Sequence, residues 1–373
     1  MRIGLIVYGD LNIISGGYLY DRKLVETFKA YGDEVEVISL PRRNYGSHLY
    51  DNMSRSLLRR LLKVQVDVLL QDELNHPSLF WLNRRLKDRI NFPLISIVHH
   101  LRSSEFRPRW QNKFYGWIER SYLRSVHGFI FNSQITRQKA VLLNCGIKQK
   151  PFVIANPAGD RLNAYINEGE IIQRAGISGP LRLLFLGNVI PRKGLLILIK
   201  AFNKLPEGLC TLTVVGNTEV DKTYYAKVIK YAKSANLYTK IHFMGILDES
   251  ELALQLRRSH VMVVPSEYEG FGIVYLEGMG FGLPSIATTN GGAVEIVTHG
   301  ENGYLIRPGN ENALVEHIKK LAEDRQLLLK LSLAARQRFL IQPGWAQTGE
   351  NVRNFLLQLV SLPQNGYPKY GKV

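Results

Sequence analysis

The sequence predicts an α/β protein of two doubly wound parallel-sheet domains, and three observations carry that prediction. The chain has 373 residues, more than one hydrophobic core usually organises, so two domains of roughly 150 to 200 residues are expected. Short β-branched, apolar runs alternate with amphipathic stretches of helical length, the pattern of βαβ units and parallel sheets. These runs fall into two series of six, separated by a stretch where no strand pattern fits.

The first series predicts strands at 3–8, 35–40, 66–71, 94–99, 128–132 and 152–155. The second predicts strands at 182–187, 211–216, 241–244, 261–265, 284–287 and 303–306. Asn, Gly and Pro accumulate over 156–181, which reads as the interdomain connection. The first domain is therefore expected at 1–165 and the second at 175–344. Helical stretches continue to about 339, where IQPGW breaks the pattern. The remainder, 345–373, opens with an amphipathic helix expected to pack back on the first domain. In such sheets ligands bind beyond the carboxyl ends of the strands. With two sheets facing each other across a cleft, chemistry is sought just after Tyr8, His99, Asn132, Gly187, Gly216, Met244 and Pro265.

Composition narrows the class. Hydrophobic residues make up 45% and charged residues 21%, too apolar for a disordered chain and sufficient for two cores. Cys145 and Cys210 stand apart from any Cys or His cluster, which excludes a disulfide framework and a zinc signature and favours a reducing compartment. The opening MRIGLIVYGD reads as a buried strand rather than a leader, and no apolar run reaches the ~18 residues of a membrane span. A cytoplasmic protein, at most lying on the cytoplasmic face of a membrane, is the expectation. Lys and Arg number 48 against 32 Asp and Glu, a formal +16, which favours anionic partners.

The most informative stretch follows Pro265. Glu269 and Glu277 bracket Gly270, Phe271, Gly272 and Ile273. A helix starting near Gly272 holds Glu269 in the loop before it, projects Glu277 from its second turn, and leaves amide donors at its start for an anion. Two carboxylates flanking such a start suit a nucleotide sugar: one accepts from ribose hydroxyls and the other from sugar hydroxyls. Any single pair of glutamates would more often be a dipole partner and a solvated residue. After Gly187, Arg192 and Lys193 precede an amphipathic helix, where two cations can neutralise a leaving diphosphate without a metal. After Tyr8, Gly16 and Gly17 precede a helix and let backbone approach a phosphate or sugar. That loop has no GxGxxG, and the second strand ends without a ribose-binding acid, which argues against a nicotinamide enzyme. His99 and His100 end the strand LISIVHH, and Glu105 follows as a further candidate.

Taken with Gly282, Leu283 and Pro284, the pair Gly291 and Gly292, Glu295, and Asn302 with Gly303, the 269–277 motif resembles the signature region of retaining GT-B glycosyltransferases of family four. That group includes sucrose synthases and bacterial mannosyltransferases. The likeness runs along essentially the whole chain, because the glycine loop and strand-end residues fall in family order. It implies a GT-B architecture of two Rossmann-like domains, the first for the acceptor and the second for a nucleotide sugar. It implies Glu277 on the ribose, Glu269 on the transferred sugar, backbone around Phe271, Gly272 and Ile273 on sugar and phosphates, and Arg192 with Lys193 as the diphosphate clamp. Gly16 and Gly17 are implied against the diphosphate, with Tyr8 lining the same cleft. His99 is implied at the sugar and the Leu247 backbone at the base. Three departures stand out: Asn188 where many members carry Arg, Gly278 where Ala is usual, and Gly280 with Phe281 in place of a pair such as Ala-Cys.

The expected reaction moves a sugar from a nucleoside diphosphate, UDP favoured and GDP allowed, to an acceptor hydroxyl with retention of configuration, without cofactor or metal. The acceptor is a glycan or lipid-linked molecule. Residues 102–125 support the second form, since Trp110, Phe114, Trp117 and Ile118 recur at helical spacing among Arg107, Arg109, Lys113, Arg120 and Arg124. Residues 42–63 add basic residues beside leucine pairs. The first domain carries most of the charge excess, and peripheral contact with an anionic membrane is expected through 102–125. Nucleic acid is a poorer partner, because the basic residues follow no recognition helix. Two rivals are a sugar-nucleotide epimerase of the same architecture and a non-catalytic basic binding protein; the second leaves the Glu269 to Glu277 constellation unexplained.

Overall fold

The computed structural model describes residues 1–13, 15–162 and 166–361. Twelve strands form two all-parallel sheets of six. The first contains β1 (Arg2–Tyr8), β2 (Glu34–Leu40), β3 (Val68–Asp72), β4 (Leu94–Val98), β5 (Gly128–Phe131) and β6 (Phe152–Ile154). The second contains β7 (Leu181–Leu186), β8 (Cys210–Val215), β9 (Ile241–Gly245), β10 (Val261–Val263), β11 (Ser285–Thr288) and β12 (Gly303–Ile306). Every expected strand is present, with ends displaced by at most two residues. All residues of β3, β4 and β5 are buried, as strands covered on both faces by helices must be.

The two sheets differ in order. The first runs β2-β1-β3-β4-β5-β6 and the second β12-β11-β10-β7-β8-β9. Counted within its own domain the second order is 6-5-4-1-2-3, the Rossmann arrangement, whereas the first places the third strand directly beside the first. The chain reverses direction across the sheet between β1 and β3 in one domain and between β7 and β10 in the other. At such points neighbouring loops diverge and leave a crevice for ligand.

The compact units are Met1–Pro157 with the segment from Trp345, and Ala158–Gly344. Residues 158–162, expected in the first domain, thus belong to the second. The expected connection is also partly ordered: Asn167 caps a helix, Glu168–Gly176, through a capping box with Glu170. Helix Trp345–Val360 lies in the first unit, where Arg353 donates to Asp33 at 2.6 Å. The rest of the expected terminal segment, 362–373, lies outside the described residues. Among the described residues no helix is long and apolar enough to cross a membrane.

Candidate functional site

In the second domain the loops after β7 and β10 bring the expected residues together at the reversal point. Pro191–Lys193 forms one turn of 3₁₀ helix and Gly194, at φ +74°, releases the chain into helix Leu195–Asn203. The Lys193 stem lies across Gly187, whose missing Cβ would sit 3.3 Å from Lys193 Cε. Lys193 Nζ donates to Glu269 Oε1 at 2.5 Å, Ser266 Oγ donates to the same oxygen at 2.6 Å, and Arg192 Nη1 stands 3.7 Å from Oε2. Arg192 also donates to the Tyr268 carbonyl at 2.7 Å. Burial opposes ionisation of Glu269, which is 6% exposed, but the two cations and two hydrogen bonds outweigh it and hold the carboxyl at about 2.

The backbone of Glu269 is fixed as firmly as its side chain. Its N–H donates to the Asn290 carbonyl at 3.2 Å, and Gly292 N–H donates to its carbonyl at 2.9 Å. Gly291 adopts φ +102°, and a Cβ there would run into the Glu269 carbonyl. The glycine pair at 291 and 292 therefore exists to let one loop lie directly on the other. Gly272, at φ +101°, caps helix Ile273–Gly280 with no side-chain cap. Phe271 and Ile273 are buried beside it.

Glu277 projects from the second turn of that helix as expected, and the structure adds its partner. The carboxylate is 2% exposed and ion-paired to Arg161 Nε, while Arg161 Nη1 reaches Glu249 at 3.4 Å. Gly159 lies against the helix, since a Cβ there would approach the Leu276 Cβ to 2.7 Å. Leu247, half-buried, precedes Asp248, which caps the helix carrying Glu249. Gly278 also has its reason: Ala there would bring a Cβ to 2.8 Å from Met262 Cε in β10.

In the first domain a second set gathers at the β1–β3 reversal. Ser15 caps helix Gly16–Ala30, and the His99 ring lies against Gly17, with Cδ2 3.2 Å from the missing Cβ. His99 Nε2 meets Asp21 Oδ1 at 3.1 Å, and the His99 carbonyl accepts from Asn132 at 2.7 Å. Burial works against a charged imidazole, but Asp21, Asp72 and Glu73 outweigh it and raise His99 to about 9. Asp72 is pushed up to about 7 by burial and by Asp21. Oδ2 of Asp21 and Oδ2 of Asp72 are both buried without a hydrogen-bond partner. Asp21, Asp72 and His99 offer ligand atoms within 4.8 Å of one another, close enough for a cation, as do Glu73, His76 and Glu119. The second trio is committed elsewhere: His76 meets Tyr45 OH at 2.9 Å, and Glu119 accepts from the amides of Arg102 and Ser103.

Tyr8, expected to line the same cleft, is held inside the first domain. Its ring is buried, stacked on His48 with centroids 3.9 Å apart, and its OH meets Ser78 Oγ at 2.6 Å. Its carbonyl accepts from the Tyr18 hydroxyl at 2.5 Å. The residues that sequence reasoning missed are Arg161, Ser266 and Asp21. Arg161 sits in a connector without periodicity and gave no signal. Asp21 did give one: it interrupts the buried helical stripe of Tyr18, Leu24, Val25 and Phe28, and a charged residue on a core face calls for a partner.

Residues 19–158 match the family described as Glycosyltransferase Family 4, and 167–338 the family described as Glycosyl transferases group 1, together most of the chain. The chain belongs to these glycosyltransferases. A glycogen synthase from Mycobacterium tuberculosis is 26% identical over 262 residues, which are 68% of this chain and 60% of that protein. An uncharacterized glycosyltransferase from Methanocaldococcus jannaschii is 37% identical over 144 residues, 39% of each chain. The matches thus span less than two thirds of the length of these curated relatives. Among solved structures, sucrose-phosphate synthase from Thermosynechococcus elongatus superposes with a TM-score of 0.80 at 21% identity, covering 96% of this chain and 98% of that one. Anabaena HepE in complex with UDP-glucose gives 0.75 at 18% identity, covering 96% and 100%. This glycosyltransferase thus has the GT-B fold expected of it.

Proposed function

We propose that this glycosyltransferase moves a sugar from a nucleoside diphosphate, UDP in the first instance and GDP as the other candidate, to an acceptor hydroxyl with retention of configuration. The observation that carries the reading is the Glu269, Lys193 and Arg192 group beside the uncapped helix start at Gly272. A diphosphate placed there meets two cations and a row of amides, which stabilise the charge it gains on leaving. Glu269 then accepts from sugar hydroxyls, Glu277 from the ribose, and the Leu247 backbone meets the base. Gly16 and Gly17 supply backbone toward the diphosphate, and His99, charged through Asp21, donates to the sugar.

In the proposed reaction the acceptor oxygen bonds to the anomeric carbon on the face from which the diphosphate departs. The carbon–oxygen bond to the leaving phosphate breaks, and the acceptor proton passes to a phosphate oxygen. No enzyme nucleophile is needed, and charge neutralisation rests on side chains and amides rather than a metal. The UDP preference is supported by the HepE complex, whose ligand is UDP-glucose. Donor turnover in EDTA, with UDP- and GDP-sugars compared and the anomer of the product read by NMR, tests the reading. Glu269→Ala and Lys193→Ala should each lower turnover by roughly 100-fold or more; folded variants that turn over normally would refute it.

A further inference from the structure

Helix Arg109–Ser125 buries one face on the first domain, through Gly116, Ile118, Tyr122 and Leu123. The sequence placed Ile118 with Trp110, Phe114 and Trp117, but eight residues advance a helix by about 80° beyond two turns, and Ile118 turns inward. The three aromatics stay outside: Trp110 is 70% exposed and Trp117 58%. Arg109, Lys113, Arg120 and Arg124 share that exposed side. The helix contains one acid, Glu119, and it is buried. An ordinary solvated face mixes both charges and holds few aromatics; the exposed residues of this helix are cations and aromatics only.

The surface continues beyond the helix. Phe106, in the preceding turn, is 91% exposed. The Trp117 ring meets Phe80 edge-on at 6.0 Å, and Trp81, the next residue along the chain, is exposed. We propose that this face docks on an anionic bilayer, with Trp110, Phe114, Trp117 and Phe106 at headgroup depth and Arg109, Lys113 and Arg124 on lipid phosphates. A face without a single exposed acid complements an anionic surface better than a protein patch of mixed charge.

Docking would also place the candidate acceptor chemistry. Glu119, on the inner side of the helix, accepts from Arg102 N at 2.5 Å and from the Ser103 hydroxyl. That turn begins three residues after His99, so the carboxyl end of β4 is tied to the docked helix. An acceptor hydroxyl carried by a lipid would then reach His99 from the bilayer, a consequence that rests on the proposed transferase activity.

Co-sedimentation of the full chain with phosphatidylcholine vesicles, with and without 30% phosphatidylglycerol, tests the docking, with tryptophan emission followed in parallel. Binding at least tenfold tighter to the anionic vesicles, with a blue shift, is expected. Trp110→Ser with Phe114→Ser and Trp117→Ser should lose binding roughly tenfold or more, and so should Arg109→Gln with Lys113→Gln and Arg124→Gln. Circular dichroism melting checks the fold of both variants. Failure of the wild-type chain to bind, unchanged binding by the folded aromatic variant, or a dimer that this variant dissociates would overturn it, the last by assigning the face to a second copy. Vesicle binding in a chain that ignores every nucleotide sugar would instead sink the transferase reading and leave the docking standing.

Discussion

At the scale of single residues the second-domain group is a buried charge arrangement that must be kept whole in the absence of ligand. Removing one partner of a buried pair leaves the other uncompensated, at about 3 to 5 kcal/mol. Lys193→Met should therefore destabilise the second domain by about 3 kcal/mol, and Lys193→Met with Glu269→Gln by less than the sum of the two single changes. Denaturant unfolding of the three variants measures this, and strict additivity would contradict the pairing at 2.5 Å. His99 gives a second prediction with a definite sign. Its folded value, about 9, lies above the ~6.5 of an unfolded histidine. The stability it contributes is complete below about pH 6.5 and is lost as pH rises through about 9. His99→Gln should thus cost most at pH 6.5 and least near pH 10; a pH-independent cost would contradict the Asp21 partnership. That Glu269, Arg192 and Lys193 come together, and that His99 lies at a strand end, was legible because the ends of strands in doubly wound sheets converge at the reversal points. Ser266, which donates to Glu269, and Arg161, which pairs with Glu277, were not, since a lone polar residue in a loop carries no period.

At the scale of elements the glycines decide where backbones meet. Gly272 combines φ +101° with a Tyr275 ring whose Cδ2 would lie 2.5 Å from an added Cβ. Gly272→Ala should then cost about 2 kcal/mol from the backbone alone and weaken nucleoside diphosphate binding more than any change on the far side of the helix. Gly349 plays the packing role in the first domain, where an added Cβ would stand 2.6 Å from Thr27 Cβ in helix Gly16–Ala30. Gly349→Val should overpack that contact at about 1 to 3 kcal/mol, a loss readable by thermal melting with nucleotide binding left intact. The strands themselves were readable from sequence because buried parallel strands are runs of β-branched and aliphatic residues. Their order was not: the reversal points between β1 and β3 and between β7 and β10 follow from which strands pair, and pairing leaves no mark in a local pattern.

At the scale of the whole molecule the two compact units have separate sheets and separate polar groups, and the proposed donor contacts fall unevenly between them. Glu269, Glu277, Arg192, Lys193, Leu247 and the Gly272 helix start all belong to Ala158–Gly344, and of the proposed diphosphate contacts only Gly16 and Gly17 belong to the first unit. A nucleoside diphosphate without its sugar should therefore stabilise the second unit selectively. Differential scanning calorimetry of the full chain in EDTA should resolve two transitions, and saturating UDP should raise one and leave the other nearly in place. At about 100 times its dissociation constant the ligand adds ~2.7 kcal/mol to the unit that binds it, and for a unit of this size that moves the midpoint by roughly 5 to 10 °C. The assignment of the moving transition is checked with Gly349→Val, which should lower only the transition that UDP leaves alone. If UDP raised the transition that Gly349→Val lowers, the diphosphate would belong to the first unit, and the roles given to Arg192 and Lys193 would have to be abandoned.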